Sequence, residues 1–321
     1  MQVIILLFWL CQQNPAADEQ LLIYELNRAR NNPQRYASEN GLGSLLDGIA
    51  PSPPLALNTR LVQSSGGHAE EMAANDYFGH QSAVTLKWPN RMARDAGYVL
   101  PAAWPDDQNY IESIAAGYSS VLTALRGLLE DALTSPPGHR YQLLATGPQG
   151  ALWLAHREVG TGHGYDASST YDNYYAIHTA YVNSSDLFLT GVVYDDLNTN
   201  SRYDLNEGLG GVLVSLGATS TTTNSAGGWS IPITNGSYTL TVSGGSFVGT
   251  ATANVTVAGS NIEADFISGS TAGEVGFGNQ PPPPPPPPPG GTPGGACGST
   301  GLDLLWPLGL LWLRRRSRQT A

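Results

Sequence analysis

Near Val182 the hydrophobic pattern of this chain changes period, and that change decides most of what it can fold into. Up to about Leu144 the spacing is helical. Leu21, Leu22, Tyr24, Leu26 and Ala29 line one broad face of an amphipathic helix. Leu61, Ser65, His68, Glu71 and Met72 recur at helical spacing, as do Leu122, Leu125, Leu128 and Leu129. Beyond Val182 the apolar runs are short and β-type: FLTGVVYD, GVLVSLG, GWSIPI, SYTLTV and ATANVTV, separated by Gly, Asn and Ser. Such spacing predicts an antiparallel sandwich. The expected class is α+β, with a helix-rich unit over 18–183 and a small all-β unit over 186–268.

The ends read differently. Met1–Ala17 holds the apolar run VIILLFWLC followed by NPAA, the layout of a signal peptide over 1–17 with cleavage near Ala16 or Ala17, although no Lys or Arg precedes the run. Pro281–Pro289 is unbroken proline and must be extended polyproline II, at about 3.1 Å per residue. Residues 269–296 therefore form a Gly/Pro-rich linker. Residues 297–321 combine a Gly-Cys signature, an apolar segment from Leu302 to Leu313, and Arg314, Arg315, Arg316 and Arg318. That apolar segment is short of the roughly 20 residues of a full span. The arginines would stay cytoplasmic, as for a tail anchor or a sorting signal cut near Gly295–Gly298.

Two cysteines, Cys11 and Cys297, lie outside both candidate domains. The folded body thus has no disulfide and no thiolate ligand. A net charge of −11 offers no basic face, so nucleic acid is excluded as a partner. With 41% hydrophobic residues the chain has enough apolar material for packed cores.

Several strings of the first unit stand in a telling order: LLIYELNRARNNPQRYA, HAEEMAANDYFGH, NRMARDAGY, YIESIAAG, SPPGHR, and REVGTGHGYDASSTYDNYYAIHTAYV. Together they resemble the CAP superfamily (cysteine-rich secretory proteins, antigen 5 and pathogenesis-related proteins), in its cysteine-free bacterial branch. The resemblance implies a three-layer α-β-α sandwich with an antiparallel central sheet. It also implies a cleft shared by two histidines and acidic residues, matched here by His80, Glu112 and His139. The chain departs from the family at Ile111-Glu112-Ser113, where Gly-Glu-Asn is usual, and at Ala132 or Leu133, where a Trp is common. The position of a second cleft glutamate falls near Ser135, with Glu130 and Asp131 close in sequence.

Two imidazoles and a carboxylate can hold a divalent ion, zinc first, with water in an open position. They can equally form a buried hydrogen-bond network that ties the cleft walls. Glu112 is the available base for a hydrolase, and Arg140 or a backbone N–H the oxyanion donor. His68 opens the core-facing HAEEMA and reads as a satisfied helix histidine. His156, His163 and His178 lie in or near the terminal strands, and alternation in YAIHTAYV could aim His178 at the cleft.

In the second unit, VYDDLNTNSRYDLNEG places Asp196, Asn198, Asn200, Asp204 and Glu207 at the first, third, fifth, ninth and twelfth positions of a loop. Arg202, at the seventh, offers its backbone carbonyl. This is the ligand schedule of a calcium loop, with Ser201 where Gly is usual. The unit resembles the B-type or carboxypeptidase-regulatory-like modules of bacterial surface proteins.

The reading is an exported protein, held at the cell surface or outer envelope or released from it. Its His/Glu-lined cleft takes an envelope or extracellular ligand, lipid or protein, and a calcium-stabilised sandwich displays it. The C-terminal segment contacts the membrane before processing. The alternatives are a metal-dependent hydrolase of peptides or envelope material using the same cleft, and a structural adhesin-like protein.

Overall fold

The computed structural model describes residues 14–276 and, apart from them, the two-residue strand Ala296–Cys297. Residues 1–13 of the signal peptide expected over 1–17, and the arginine tail, lie outside the described residues, while Ala17 opens a helix. Among the described residues no helix is long and apolar enough to cross a membrane.

The first unit runs α1 (Ala17–Asn31), α2 (Pro33–Glu39), β1 (Ala56–Leu57), α3 (Thr59–Ala74), α4 (Pro89–Asp95), β2 (Glu112–Ala116), α5 (Val121–Glu130), α6 (Gly138–Leu143), α7 (Gly150–Leu154), β3 (Glu158–Tyr165) and β4 (Asn173–Ala180). Local chemistry sets these boundaries. Asn58 caps α3 by accepting from the Arg60 and Leu61 amides, and Ser120 caps α5. Pro33 and Pro89 stand where α2 and α4 begin, since a helix start needs no amide from them.

The sheet order is β1-β3-β4-β2, continued by Ala296–Cys297 beside β2. Its pairs are antiparallel apart from the two-residue β1–β3 contact. Gly160, Gly162 and Gly164 alternate along β3 and so share one face. A Cβ at any of them would come within 2.1–2.3 Å of α3 backbone at Leu61, Val62, Gly66 or Ala69. Three glycines therefore let α3 lie directly on the sheet. The opposite face carries α1, to whose Glu19 carbonyl Thr161 of β3 donates. The layers are α-β-α, as expected.

The second unit contains β5 (Leu187–Tyr194), β6 (Leu213–Leu216), β7 (Thr219–Thr222), β8 (Gly228–Ile233), β9 (Gly236–Ser243), β10 (Thr250–Val257), β11 (Ile262–Ile267) and β12 (Glu274–Val275). Two four-stranded sheets, β10-β9-β6-β7 and β12-β11-β5-β8, close over a core that includes Val214, Trp229, Leu240, Val255 and Phe266. The expected purely antiparallel sandwich is corrected at one place, because β5 and β11 run parallel. The unit also extends past Ser268, since β12 adds to β11 within the stretch assigned to the linker.

The two units share a core. Val192, Tyr194 and Tyr203 of the second pack into the same apolar cluster as Leu21, Leu22 and Leu26 of α1. The Tyr24 and Tyr203 rings meet edge-on at 5.5 Å. Asn261 donates to the carbonyls of Pro54 and Arg157, and Ser230 to that of Leu57. Helix α1 is consequently buried on every side from Glu19 to Arg30, more than a one-faced amphipathic pattern predicts. Its charges are paired inside: Arg28 with Glu25 and Glu39, and Arg202 of the second unit with Glu39 at 3.1 Å. Arg30 donates to the carbonyls of Pro53 and Leu143.

Candidate functional site

The site is built around Glu112, the first residue of β2, whose side chain is 0% exposed. Asn109 fixes the strand entry by accepting from the Ile111 and Glu112 amides and donating to the Glu112 carbonyl. His178 lies directly across on β4, in register with Glu112. His68 comes from α3, on its sheet-facing side. His80 lies in the segment after that helix.

Three imidazoles converge on the one carboxylate. His80 Nδ1 lies 2.8 Å from Oε1, while His68 Nδ1 at 2.5 Å and His178 Nε2 at 2.8 Å share Oε2. An ionised carboxylate only accepts, so each of these ring nitrogens is assigned a proton. Burial works to raise the Glu112 pKa, but the His68 charge and the imidazole hydrogen bonds outweigh it and hold the group well below the usual range. Burial likewise opposes charge on His68, yet the adjacent Glu112 carboxylate raises its pKa. At His80 burial wins over Glu112, helped by the charges of His139 and His68, and the pKa falls. His80 is therefore neutral, with its proton on Nδ1 and a lone pair on Nε2.

His139 has a carboxylate of its own. It opens α6, and Asp131 accepts both its backbone N–H at 2.9 Å and its Nδ1–H at 2.8 Å. Asp131 can do so because it ends α5 in the left-handed conformation, φ 48°, which turns its side chain back over the SPPGH segment. Thr134 also donates to it. Burial raises the Asp131 pKa, but the His139 hydrogen bond brings it down overall. The expected trio His80, Glu112 and His139 is thus two dyads, His80–Glu112 and His139–Asp131, near enough for the charge on His139 to weigh on His80. His139 makes no hydrogen bond to Glu112.

The Nε2 atoms of His80 and His139 are buried and have no hydrogen-bond partner among the described residues. Two imidazoles, each oriented through Nδ1 by a carboxylate and each with a buried Nε2, have the outer-shell arrangement that accompanies histidine metal ligands. His68 Nε2 and His178 Nδ1 are likewise buried without a partner among the described residues. Glu112 belongs behind the imidazoles, since its oxygens are already engaged. His68, Glu112 and His178 also bring their ligand atoms within 4.8 Å of one another, but these atoms bond each other.

A cavity of about 280 Å³ between α3 and α4 reaches the outer side of this cluster. His68, Ser64 and Glu71 line it from α3, Met92 and Asp95 from α4, and Lys87 from the segment before α4. Lys87 is paired with Asp95 at 2.8 Å.

Sequence reasoning missed His68, His178 and Asp131 as members of the site. The signal for His68 was its place in the stripe Leu61, Ser65, His68, Met72, because a histidine on a core-facing helix stripe needs an interior partner. Strand alternation allowed His178, with the inward-facing Tyr174 and Ala176 before it. The signal for Asp131 was its nearness to the expected place of a second cleft acid at Ser135.

In the second unit, the loop from Asp196 to Glu207 curls on itself. Asp196 accepts from the Asn200 and Ser201 amides, and Asn198 and Asn200 both turn to Asp204. Glu207 accepts from the Leu197 and Asp204 amides, and burial raises its pKa. Ser201 takes the left-handed conformation, φ 58°, that glycine would supply at this position. The side chain of Arg202 leaves the loop for Glu39 of α2.

No family model matches the chain, and no curated protein does. Among solved structures it is similar to the CAP domain of Enterococcal PrgA, at 14% identity and a TM-score of 0.33, over 54% of this chain and 65% of that one. The chain thus spans about two thirds of that protein's length. It is also similar to venom allergen-like protein 4 of Schistosoma mansoni, at 13% identity and a TM-score of 0.27, over 52% of this chain and 89% of that one.

Proposed function

We propose that this is an exported CAP-type binding protein whose His80–His139 pair holds a divalent metal, zinc first, at the cleft where it engages an envelope or extracellular ligand. The observation that carries the reading is the pair of unpartnered, buried Nε2 atoms on imidazoles that Glu112 and Asp131 separately orient. Imidazole nitrogen suits zinc, and two protein ligands leave positions open for water or ligand.

Binding is favoured over hydrolysis by the state of Glu112. Both its oxygens face imidazoles and the residue is buried, so no free carboxylate oxygen is placed to take a proton from water. We further read the Asp196–Glu207 loop as a calcium site, supported by its schedule of oxygen side chains. Retention at the surface rests on the apolar and arginine-rich tail.

The test is zinc titration of chelator-treated protein by calorimetry. One zinc per chain is expected, with binding lost in His80→Ala and in His139→Ala and weakened about 10–100-fold in Asp131→Asn. Zinc binding that survives both histidine substitutions would sink the reading. Zinc-dependent hydrolysis of peptide or envelope substrates that disappears in Glu112→Gln would replace it with the hydrolase.

A further inference from the structure

We propose that a small monovalent anion, of the size and charge of chloride, binds inside the first unit between the guanidinium groups of Arg30 and Arg157 and the imidazole of His156. These groups are buried donors without acceptors. Arg30 Nη2, Arg157 Nε and His156 Nε2 are all buried and have no hydrogen-bond partner among the described residues. Arg30 as a whole is 1% exposed and His156 2%.

Neighbouring contacts bring the three together. Arg30, near the end of α1, donates Nε–H to the Pro53 carbonyl at 2.8 Å and Nη1–H to that of Leu143, at the end of α6, at 2.6 Å. Asn261 ties the next carbonyl, of Pro54, to that of Arg157, at 3.0 and 2.7 Å. The segment that holds one guanidinium therefore adjoins the residue that carries the other. Gln142, beside Leu143, meets His156 at the Thr179 hydroxyl, at 3.1 and 2.7 Å. The charges of Arg30 and Arg157 both bear on the His156 ring, and that of Arg157 bears on Arg30.

Charge selects the ligand. A guanidinium stays protonated even where burial and a like charge oppose it, as they do at Arg30. The two carbonyls give Arg30 hydrogen bonds but no counter-charge. Asp186 acts on Arg157 without an ion-pair contact, and Glu158, the next residue, is engaged with Asn58 and Tyr98. A buried cation in this state is costly until an anion joins it. His156 suits the same ligand. Burial, then the charges of Arg30 and Arg157, bring its pKa down to about 3, so the ring is neutral. Gln142 donates to Thr179 Oγ1, and the Thr179 hydroxyl proton is assigned to His156 Nδ1, which leaves the ring proton on Nε2 as a third free donor. Three donors with no acceptor call for a ligand that only accepts. Because carbonyls hold Nε and Nη1 of Arg30, Nη2 is a free corner and not an open fork for a carboxylate or phosphate. A spherical halide needs no fork. Arg157 is only half-buried and gives the ion a path from solvent. Bound there, the anion fastens the end of α1 to the start of β3.

The test uses the full chain. Crystals soaked in sodium bromide should show an anomalous peak in contact with Arg30 Nη2 and with at least one of the other two donors. Melting in sodium chloride and in sodium acetate at matched ionic strength should show a rise specific to chloride that saturates as a single site. Arg157→Met keeps the aliphatic stem and removes the charge, and it should weaken the apparent chloride affinity about tenfold or more, the loss of one charge-assisted hydrogen bond. A water in place of bromide, bromide confined to the protein surface, equal stabilisation by acetate, or an undiminished chloride effect in Arg157→Met would each overturn the proposal. The bromide soak decides it on the wild-type protein, whatever the variant does to folding.

Discussion

Two groups of buried carboxylates in this molecule end in opposite charge states. Glu112, at the centre of the first unit, is 0% exposed and ionised, because three imidazoles surround it. Glu263 and Asp265, on β11 at the seam, are only 3% and 5% exposed and have no such company. Asn27 donates to one oxygen of Glu263 at 3.3 Å, and the other has no partner among the described residues. Asp265 accepts one backbone N–H, from Val192, and lies opposite Glu274 on β12. Burial pushes its pKa up to about 8, against the Val192 bond and with the Glu274 charge. Burial also lifts that of Glu263 well above the usual range, although Asn27 and Arg28 work against it. Depth is the same in both places, so the neighbours decide the charge. A deep carboxylate among imidazoles marks a site built to hold charge. One among amides and other acids marks a seam assembled in the neutral form.

The largest effect expected on this contrast comes from removing its anionic centre. Glu112→Ala would leave three buried imidazoles without their acceptor, and breaking a buried charged cluster costs about 3–5 kcal/mol. Urea denaturation of the full chain should show a loss of that size or a failure to fold. A loss below about 1 kcal/mol would mean that the imidazoles do not depend on Glu112.

Zinc should then separate the two regions. Free metal a hundredfold above its dissociation constant should raise stability by about 2.7 kcal/mol. That gain should vanish in His139→Ala and persist in Glu263→Gln. A zinc shift that follows Glu263 instead would place the metal at the seam.

pH offers a smaller lever, and its sign is fixed by the direction of each shift. Asp265 is neutral in the folded protein up to about pH 8, whereas its unfolded form ionises near 4. Its contribution is therefore complete below the unfolded value and is lost as pH rises toward the folded one. Glu112 is shifted the other way, so its contribution is present above the ordinary carboxylate range and is lost as pH falls through its depressed value. Between pH 5 and pH 8 the wild type should lose about 1–3 kcal/mol, and Asp265→Asn should flatten that slope. A slope unchanged by the substitution would show that Asp265 ionises freely in the folded state.

How much of this was legible beforehand follows from which forces are local. The α-β-α layering was readable because helical and strand periods are local, and the alternating glycines of REVGTGHG mark where α3 meets the sheet. His80 and Glu112 were readable as partners, since their strings carry a familiar resemblance. The division of roles between Glu112 and Asp131 was not, because it depends on the left-handed turn at Asp131 that brings its carboxylate under His139. The seam was the least legible part. In sequence, Glu25 and Arg28 look like a solvated helix face, and it is the packing of Tyr203 and Arg202 beside α1 and α2 that encloses them. A partner surface from more than a hundred residues away leaves no periodic trace in the helix it covers.

The smallest expected effect concerns calcium, and it asks whether the seam or the loop sets the limit of cooperativity. From sequence alone, calcium at the Asp196–Glu207 loop should stabilise the sandwich and leave the first unit nearly unchanged. The structure argues for a different outcome. Arg202 at the loop's seventh position is ion-paired with Glu39 of α2, and Tyr203 beside it packs on Tyr24 of α1. Ordering the loop therefore orders groups that the first unit uses to hold its own helix. Calcium a few-fold above its dissociation constant should raise stability by roughly 1 kcal/mol, felt by the whole chain in one unfolding transition. Calorimetric melting with calcium and with chelator reads this directly. The shift should be absent in Asp196→Ala combined with Glu207→Ala. In Arg202→Gln it should persist, at a lower starting stability. Two separate transitions, with only one moved by calcium, would show that the units melt independently and that the shared core around Tyr24 and Tyr203 does not couple them.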